Sequence, residues 1–131
     1  MAVPYIFITQ KSLPDKEGVQ KKVSYARTIA NHKANTEELA HNISKRCTVN
    51  PADVAAVLYA LGDELKTRLK NGEIVELDGI GSFRLIAGTG VVQDPQKVRT
   101  KDFTRRRINF LPDKRLKTTL KTLSFIRKKN N

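Results

Sequence analysis

Hydrophobic and polar positions change period several times along the chain, and each change marks an element. Residues 3–11 are rich in β-branched and aromatic types, which predicts a strand over about 5–10. Residues 12–22 hold Pro14, Gly18 and several charges, and read as a loop. Val23, Tyr25 and Arg27 then alternate with Ser24, Ala26 and Thr28, predicting a second strand over 23–29 paired with the first.

The period next becomes helical. Asn35 or Thr36 can cap a helix whose positive first turn takes Glu37 and Glu38. Leu39, Ile43 and Cys47 recur at helical spacing as one narrow stripe, so Cys47 reads as core packing. Asn50-Pro51 opens another helix, with Asn as cap, Pro at the first helical position and Asp53 at the third. Val54, Val57, Leu58, Leu61, Leu65 and Leu69 give it a single apolar face, suited to a core or a dimer interface. Asn71-Gly72 stops it.

Residues 73–77 predict a short strand and 78–81 a tight turn. Residues 82–87 return as a second strand with Phe83 and Leu85 on one face. Residues 88–104 form a polar, basic connection broken by Gly88, Gly90 and Pro95. Residues 106–111 alternate again, placing Arg106 and Ile108 on one face and Arg107 on the other. Pro112 ends that strand, and Asp113 caps a final helix with Leu116, Leu120 and Leu123 along its apolar side. Arg127-Lys128-Lys129 reads as a frayed basic tail. The fold class is therefore α+β: a β extension over 1–34, then a domain over 35–131 ordered α–α–β–β–connection–β–α.

Charge sharpens the picture. The chain holds 25 Lys/Arg and 13 Asp/Glu, a net +12. Of these, 13 cations but only two acids lie in 97–131, giving +11 there and +1 over the rest. Segregation of this kind points to a surface that faces a polyanion. Lys97, Arg99, Lys101, Arg105, Arg106 and Arg107 crowd the connection and its strand, and Lys114, Arg115, Lys117 and Lys121 follow on the final helix. Phosphate contacts by such residues release counterions, so affinity should fall steeply with salt. Aromatic residues make up only 6%, which argues against single-strand stacking there.

Other functions find little support. No apolar run approaches the roughly 20 residues of a membrane span. The first residues lack a basic region and a cleavage site, so no signal peptide is expected. A lone cysteine allows no internal disulfide, and together these features suggest a cytoplasmic protein. Gly79-Ile80-Gly81 lacks a third glycine and opens a strand, unlike a dinucleotide loop. His32 and His41 have no cysteine beside them, so neither a metal, a cofactor nor a small-molecule ligand is expected. Glu37/Glu38 and Asp63/Glu64 read as caps or solvated faces, and no catalytic set emerges, so the chain does not read as an enzyme.

Three motifs in order carry a family resemblance. They are the helix pair ending in Asn71-Gly72-Glu73, the turn Gly79-Ile80-Gly81-Ser82-Phe83, and Phe110-Leu111-Pro112-Asp113-Lys114-Arg115-Leu116-Lys117. Over about 35–126 the chain resembles the bacterial HU/IHF family of histone-like DNA-binding proteins, in a divergent branch with an N-terminal extension. The resemblance implies an HU/IHF-like fold: two helices, a three-stranded antiparallel sheet with a basic arm or loop, a C-terminal helix and an intertwined homodimer. It implies a nucleoid-associated protein that binds double-stranded DNA largely without regard to sequence. In the family, basic residues contact phosphates and an apolar residue at each arm tip wedges into the minor groove. Carried over, Lys114 and Lys117 are phosphate contacts, Ser82 a strand-edge contact, Arg84 part of the DNA-facing saddle and Pro95 the candidate wedge. The arm departs from the family pattern, with Gln93-Asp94-Pro95-Gln96-Lys97 where an Arg-Asn-Pro-x-Thr-Gly tip is usual. Two other readings stay open: an interaction protein that keeps the fold with reduced DNA binding, and an RNA-binding accessory protein.

Overall fold

The computed structural model describes residues 1–129 and divides into two compact units, one of residues 1–34 with the chain from Lys121 onward, the other Asn35–Leu120. Two asparagines start the helices of the larger unit. Asn35 Oδ1 accepts the Glu38 amide at 2.9 Å and opens α1 (Thr36–Ser44). Asn50 Oδ1 accepts the Asp53 amide at 2.9 Å and opens α2 (Pro51–Lys70), where Pro51 lacks only a donor the first turn would leave unused. The Gly72 amide bonds the Leu69 carbonyl at 3.0 Å and the Glu73 amide that of Arg68 at 3.1 Å, closing α2 where expected.

Helix α1 is shorter than its apolar stripe predicts. The Arg46 amide bonds back to the Ile43 carbonyl at 2.9 Å, and the chain leaves the helix in time to place the Asn50 cap. Cys47 therefore lies beyond the helix and is exposed, its thiol donating to the Ile43 carbonyl at 3.4 Å. This corrects its assignment to the core.

The larger unit's sheet is antiparallel, in the order β3 (Val75–Leu77), β4 (Gly81–Gly88), β5 (Arg105–Pro112). Val75 faces Phe83, Phe83 faces Phe110 and Leu85 faces Ile108, so one side of the sheet is apolar. The rings of Phe83 and Phe110 stack at 4.9 Å. Helix α2 lies against β3 and β4. Even so, the buried hydrophobic side chains among the described residues are Ala40, Val54 and Leu69 alone. Val57 on α2 is 64% exposed and Ile108 on β5 is 62% exposed. A single copy leaves much of its patterned apolar surface in water.

The carboxy end differs from expectation. Helix α3 spans only Lys114–Thr118, followed by one 3-10 turn over Thr119–Lys121. Thr118 and Thr119 explain the early stop: their hydroxyls donate to the carbonyls of Arg115 at 2.7 Å and Leu116 at 2.6 Å, competing with the helical ladder. The predicted stripe Leu116, Leu120, Leu123 thus does not lie along one helix. Nor are Arg127 and Lys128 frayed. In the smaller unit β1 (Val3–Lys11) pairs antiparallel with β2 (Lys22–Thr28) and parallel with β6 (Phe125–Arg127). The Val3 amide donates to the Ser124 carbonyl and the Lys128 amide to that of Tyr5, both at 2.8 Å. Residues grouped by sequence with the second domain are thereby strand-paired to the first.

Candidate nucleic-acid interface

The β4–β5 register sorts the predicted cations by face. Arg84 lies opposite Asn109, Ile86 opposite Arg107, Gly88 opposite Arg105 and Ser82 opposite Leu111. Alternation puts Ser82, Arg84, Arg105, Arg107 and Asn109 together on the side away from Phe83 and Phe110. All three arginines are exposed. A shallow hollow of about 520 Å³ opens between residues 86–89 and Arg105–Arg107. One acid, Glu76, shares the face, opposite Ser82 at the far edge. Asn109 was not singled out in the sequence, although its two-residue spacing from Arg107 places it there. It adds an uncharged donor and acceptor between the arginines and Leu111.

Arg106 points to the other face, as alternation predicts, and has a different role. Its Nε donates to the Phe103 carbonyl at 2.6 Å and its terminal amino group to that of Thr100 at 3.2 Å. It folds the connection against the start of β5, and two of its five donors are thereby engaged. The connection is not an extended ribbon, because the β4–β5 ladder ends at Gly88 and Arg105. Two 3-10 turns follow instead, Pro95–Lys97 and Thr100–Asp102. Asp94 caps the first, accepting the Gln96 amide at 3.1 Å with Pro95 at its opening position, and Asp102 accepts the Arg99 amide at 2.8 Å in the second. Lys97 lies 3.9 Å from Asp94 with its side chain 85% exposed, so the pair is weak and solvent-screened. Lys101 and Arg99 are exposed.

On α3, Lys114 and Lys117 are one turn apart and both exposed, so they can face the same side. Arg115 lies across the Gly79 backbone, its guanidinium 3.5 Å from where a Cβ would stand. Lys121 belongs to the smaller unit.

A turn-to-helix latch holds α3 in place. Gly79, at φ +81°, turns its amide toward Asp113, whose Oδ2 accepts it at 2.6 Å, while the Asp113 amide donates to the Ile80 carbonyl at 2.9 Å. Asp113 stands at the N-cap position of α3, as the sequence predicts, and its carboxylate ties that helix start to Gly79. The Gly79 amide chiefly, and less strongly the amides of Lys114 and Arg115 and the Arg115 charge, hold the Asp113 carboxyl below the ordinary value, against the opposing effect of burial. A lowered carboxyl favours folding above its unfolded value, and that contribution is lost as pH falls through the folded value. Thermal melts from neutral to acid pH should therefore show a loss of stability in the acid limb that Asp113→Asn removes. An unchanged acid limb in the variant would contradict the latch.

The fold defined by these elements is that of an HU domain: paired helices, a three-stranded antiparallel sheet, and a cationic connection leading into its last strand. The chain matches, over residues 1–127, the family described as HU domain fused to wHTH, Ig, or Glycine-rich motif, and it belongs to that family. No curated protein matches it. Among solved structures, HU of Anabaena in a cocrystal with DNA is similar at 20% identity and TM-score 0.53, over 66% of this chain and 97% of that one. A candidate DNA-binding protein of Bacteroides vulgatus is similar at 10% identity and TM-score 0.65, over 99% of this chain. The present chain spans 50% of that protein's length.

Proposed function

We propose that this protein is an architectural, non-catalytic binder of double-stranded DNA that acts as a homodimer on the nucleoid, with little sequence preference. The observation that carries the reading is the two-sided β4–β5 sheet. One side gathers Arg84, Arg105 and Arg107 with Ser82 and Asn109. Among the described residues, no carboxylate lies in ion-pair distance of any of these three exposed arginines. Flexible cations of this kind match a repeating phosphate backbone and carry no base code by themselves. The other side holds the uncovered Leu85, Ile108 and Phe110, which a second copy would bury, and Val57 of α2 is uncovered as well. Anabaena HU, of similar fold, was crystallised with DNA. Lys97, Arg99 and Lys101 of the connection and Lys114 and Lys117 of α3 extend the phosphate contacts.

Pro95 opens a capped turn rather than the tip of a long ribbon. Phosphate contact therefore carries the affinity, and minor-groove insertion by Pro95 is a secondary element of the proposal. The test is competition on a labelled duplex of arbitrary sequence. Unlabelled duplex of unrelated sequence should compete as well as the labelled one, and structured RNA clearly less well. Equal or better competition by RNA, or a strong preference for one duplex sequence, would overturn the reading.

A further inference from the structure

The smaller unit has a face that the sequence did not reveal, because its parts lie at opposite ends of the chain. Pairing of β1 with β2 and β6 places Tyr5, Phe7, Thr9 and Lys11, then Lys22, Ser24, Ala26 and Thr28, then Phe125 and Arg127 on one side of the sheet. Side-chain contacts agree with the register. Thr9 and Ser24 hydroxyls bond at 3.0 Å, Tyr5 and Phe7 meet edge to face at 5.7 Å, and the Arg127 guanidinium lies 4.7 Å above the Phe7 ring. Beside them a hollow of about 420 Å³ is lined by Tyr5, Phe125, Ala26 and Thr28. Two aromatic rings thus border a space kept open by two small side chains. Phe125 is 55% exposed and Phe7 37% exposed.

We propose that this face binds single-stranded nucleic acid, with bases stacking on Tyr5 and Phe125 and phosphates meeting Arg127, Lys11 and Lys22. Charge complementarity selects this occupant: among the described residues, the face carries three cations and no Asp or Glu. Aromatic rings on a sheet with flanking cations suit any base, since every base has a π-face. Arg127, already stacked on Phe7, is preorganised to present its guanidinium to a phosphate. A second copy docked here would instead bring Arg127, Lys11 and Lys22 of each chain together, whereas on the Phe83–Phe110 side of the larger unit's sheet the described cation is Arg106 alone, already turned to the Phe103 and Thr100 carbonyls. The proposal is independent of duplex binding by the larger unit, and its failure would leave that reading intact.

The experiment uses the full chain and two probes, short oligothymidine and short oligouridine, with anisotropy as readout. At least one should bind. Phe125→Ala and Arg127→Glu should each weaken that binding roughly ten-fold. Lys114→Glu combined with Lys117→Glu should leave it unchanged while weakening duplex binding. Amide NMR of the wild type needs no variant to fold: titration should shift Tyr5, Ala26, Thr28 and Arg127. The idea is overturned if neither probe binds, if the shifts fall only on β4 and β5, or if folded Phe125→Ala and Arg127→Glu bind normally. It is equally overturned if sedimentation finds that Phe125→Ala disperses a dimer while strand binding persists.

Discussion

Replacing Arg84, Arg105 and Arg107 together by glutamate should lower duplex affinity at least about a hundred-fold at moderate salt. Hydrogen bonds to charged groups contribute about 1.5–3 kcal/mol each, and a hundred-fold change corresponds to only about 2.8 kcal/mol, so even partial engagement of the phosphates suffices. Reversal also adds repulsion where attraction stood. The logarithmic salt slope should flatten by about 0.9 for each phosphate that is no longer neutralised, roughly three units for the three side chains. The loss should be uniform across duplex sequences, because backbone contacts position a protein without reading bases. All three side chains are exposed, so folding should be little affected, and exposed substitutions generally stay within about 0.5 kcal/mol. Arg106→Glu makes an informative contrast. Its bonds run to the Phe103 and Thr100 carbonyls, so its loss should loosen the connection and change the salt slope by less than a third as much as the triple variant. A triple variant that binds normally, measured by anisotropy on two unrelated duplexes, would remove the sheet face from the interface.

Gly81→Ala should be the most damaging single change to the fold. Gly81 is buried at φ +152°, where L side chains rarely sit. A Cβ there would overlap the Leu111 carbonyl oxygen and stand 2.7 Å from the Phe110 ring. The oxygen belongs to the paired strand, so it cannot withdraw without opening the ladder between Gly81 and Pro112. Backbone strain costs about 1–3 kcal/mol and overpacking about the same, so a loss of about 3 kcal/mol is expected. For a small domain that lowers Tm by more than about 10 °C. Gly88→Ala, at the other end of the same strand, meets nothing within 4 Å and should melt near the wild type. Equal melting of the two variants would show that the close approach at Gly81 is not structural.

Local chemistry was the legible part of this chain. Asn35 and Asn50-Pro51 announced the helix starts because a capping side chain needs only the next three residues. The two-residue period separated Arg106 from Arg107 correctly, since a strand's alternation is set by its own backbone. What escaped depended on competition or distance. Leu116, Leu120 and Leu123 do have helical spacing, but the Thr118 and Thr119 hydroxyls divert the carbonyls such a helix would need. Phe125 finds its partner at Val3, a parallel pairing that no local pattern announces. Arg106 has the same composition and exposure as its neighbours, and only the fold of residues 100–103 commits it elsewhere. Pro95 signalled a turn, and its place in a capped 3-10 turn instead of a ribbon tip followed from Asp94, whose carboxylate takes the Gln96 amide.

The most direct measurement is the dependence of wild-type affinity on salt for two short duplexes of unrelated sequence. Contact through exposed arginines and lysines predicts two coincident straight lines of steep negative slope, with the pair separating by less than about three-fold at any salt. Binding that persists unchanged as salt rises, or that one duplex captures and the other does not, would contradict it.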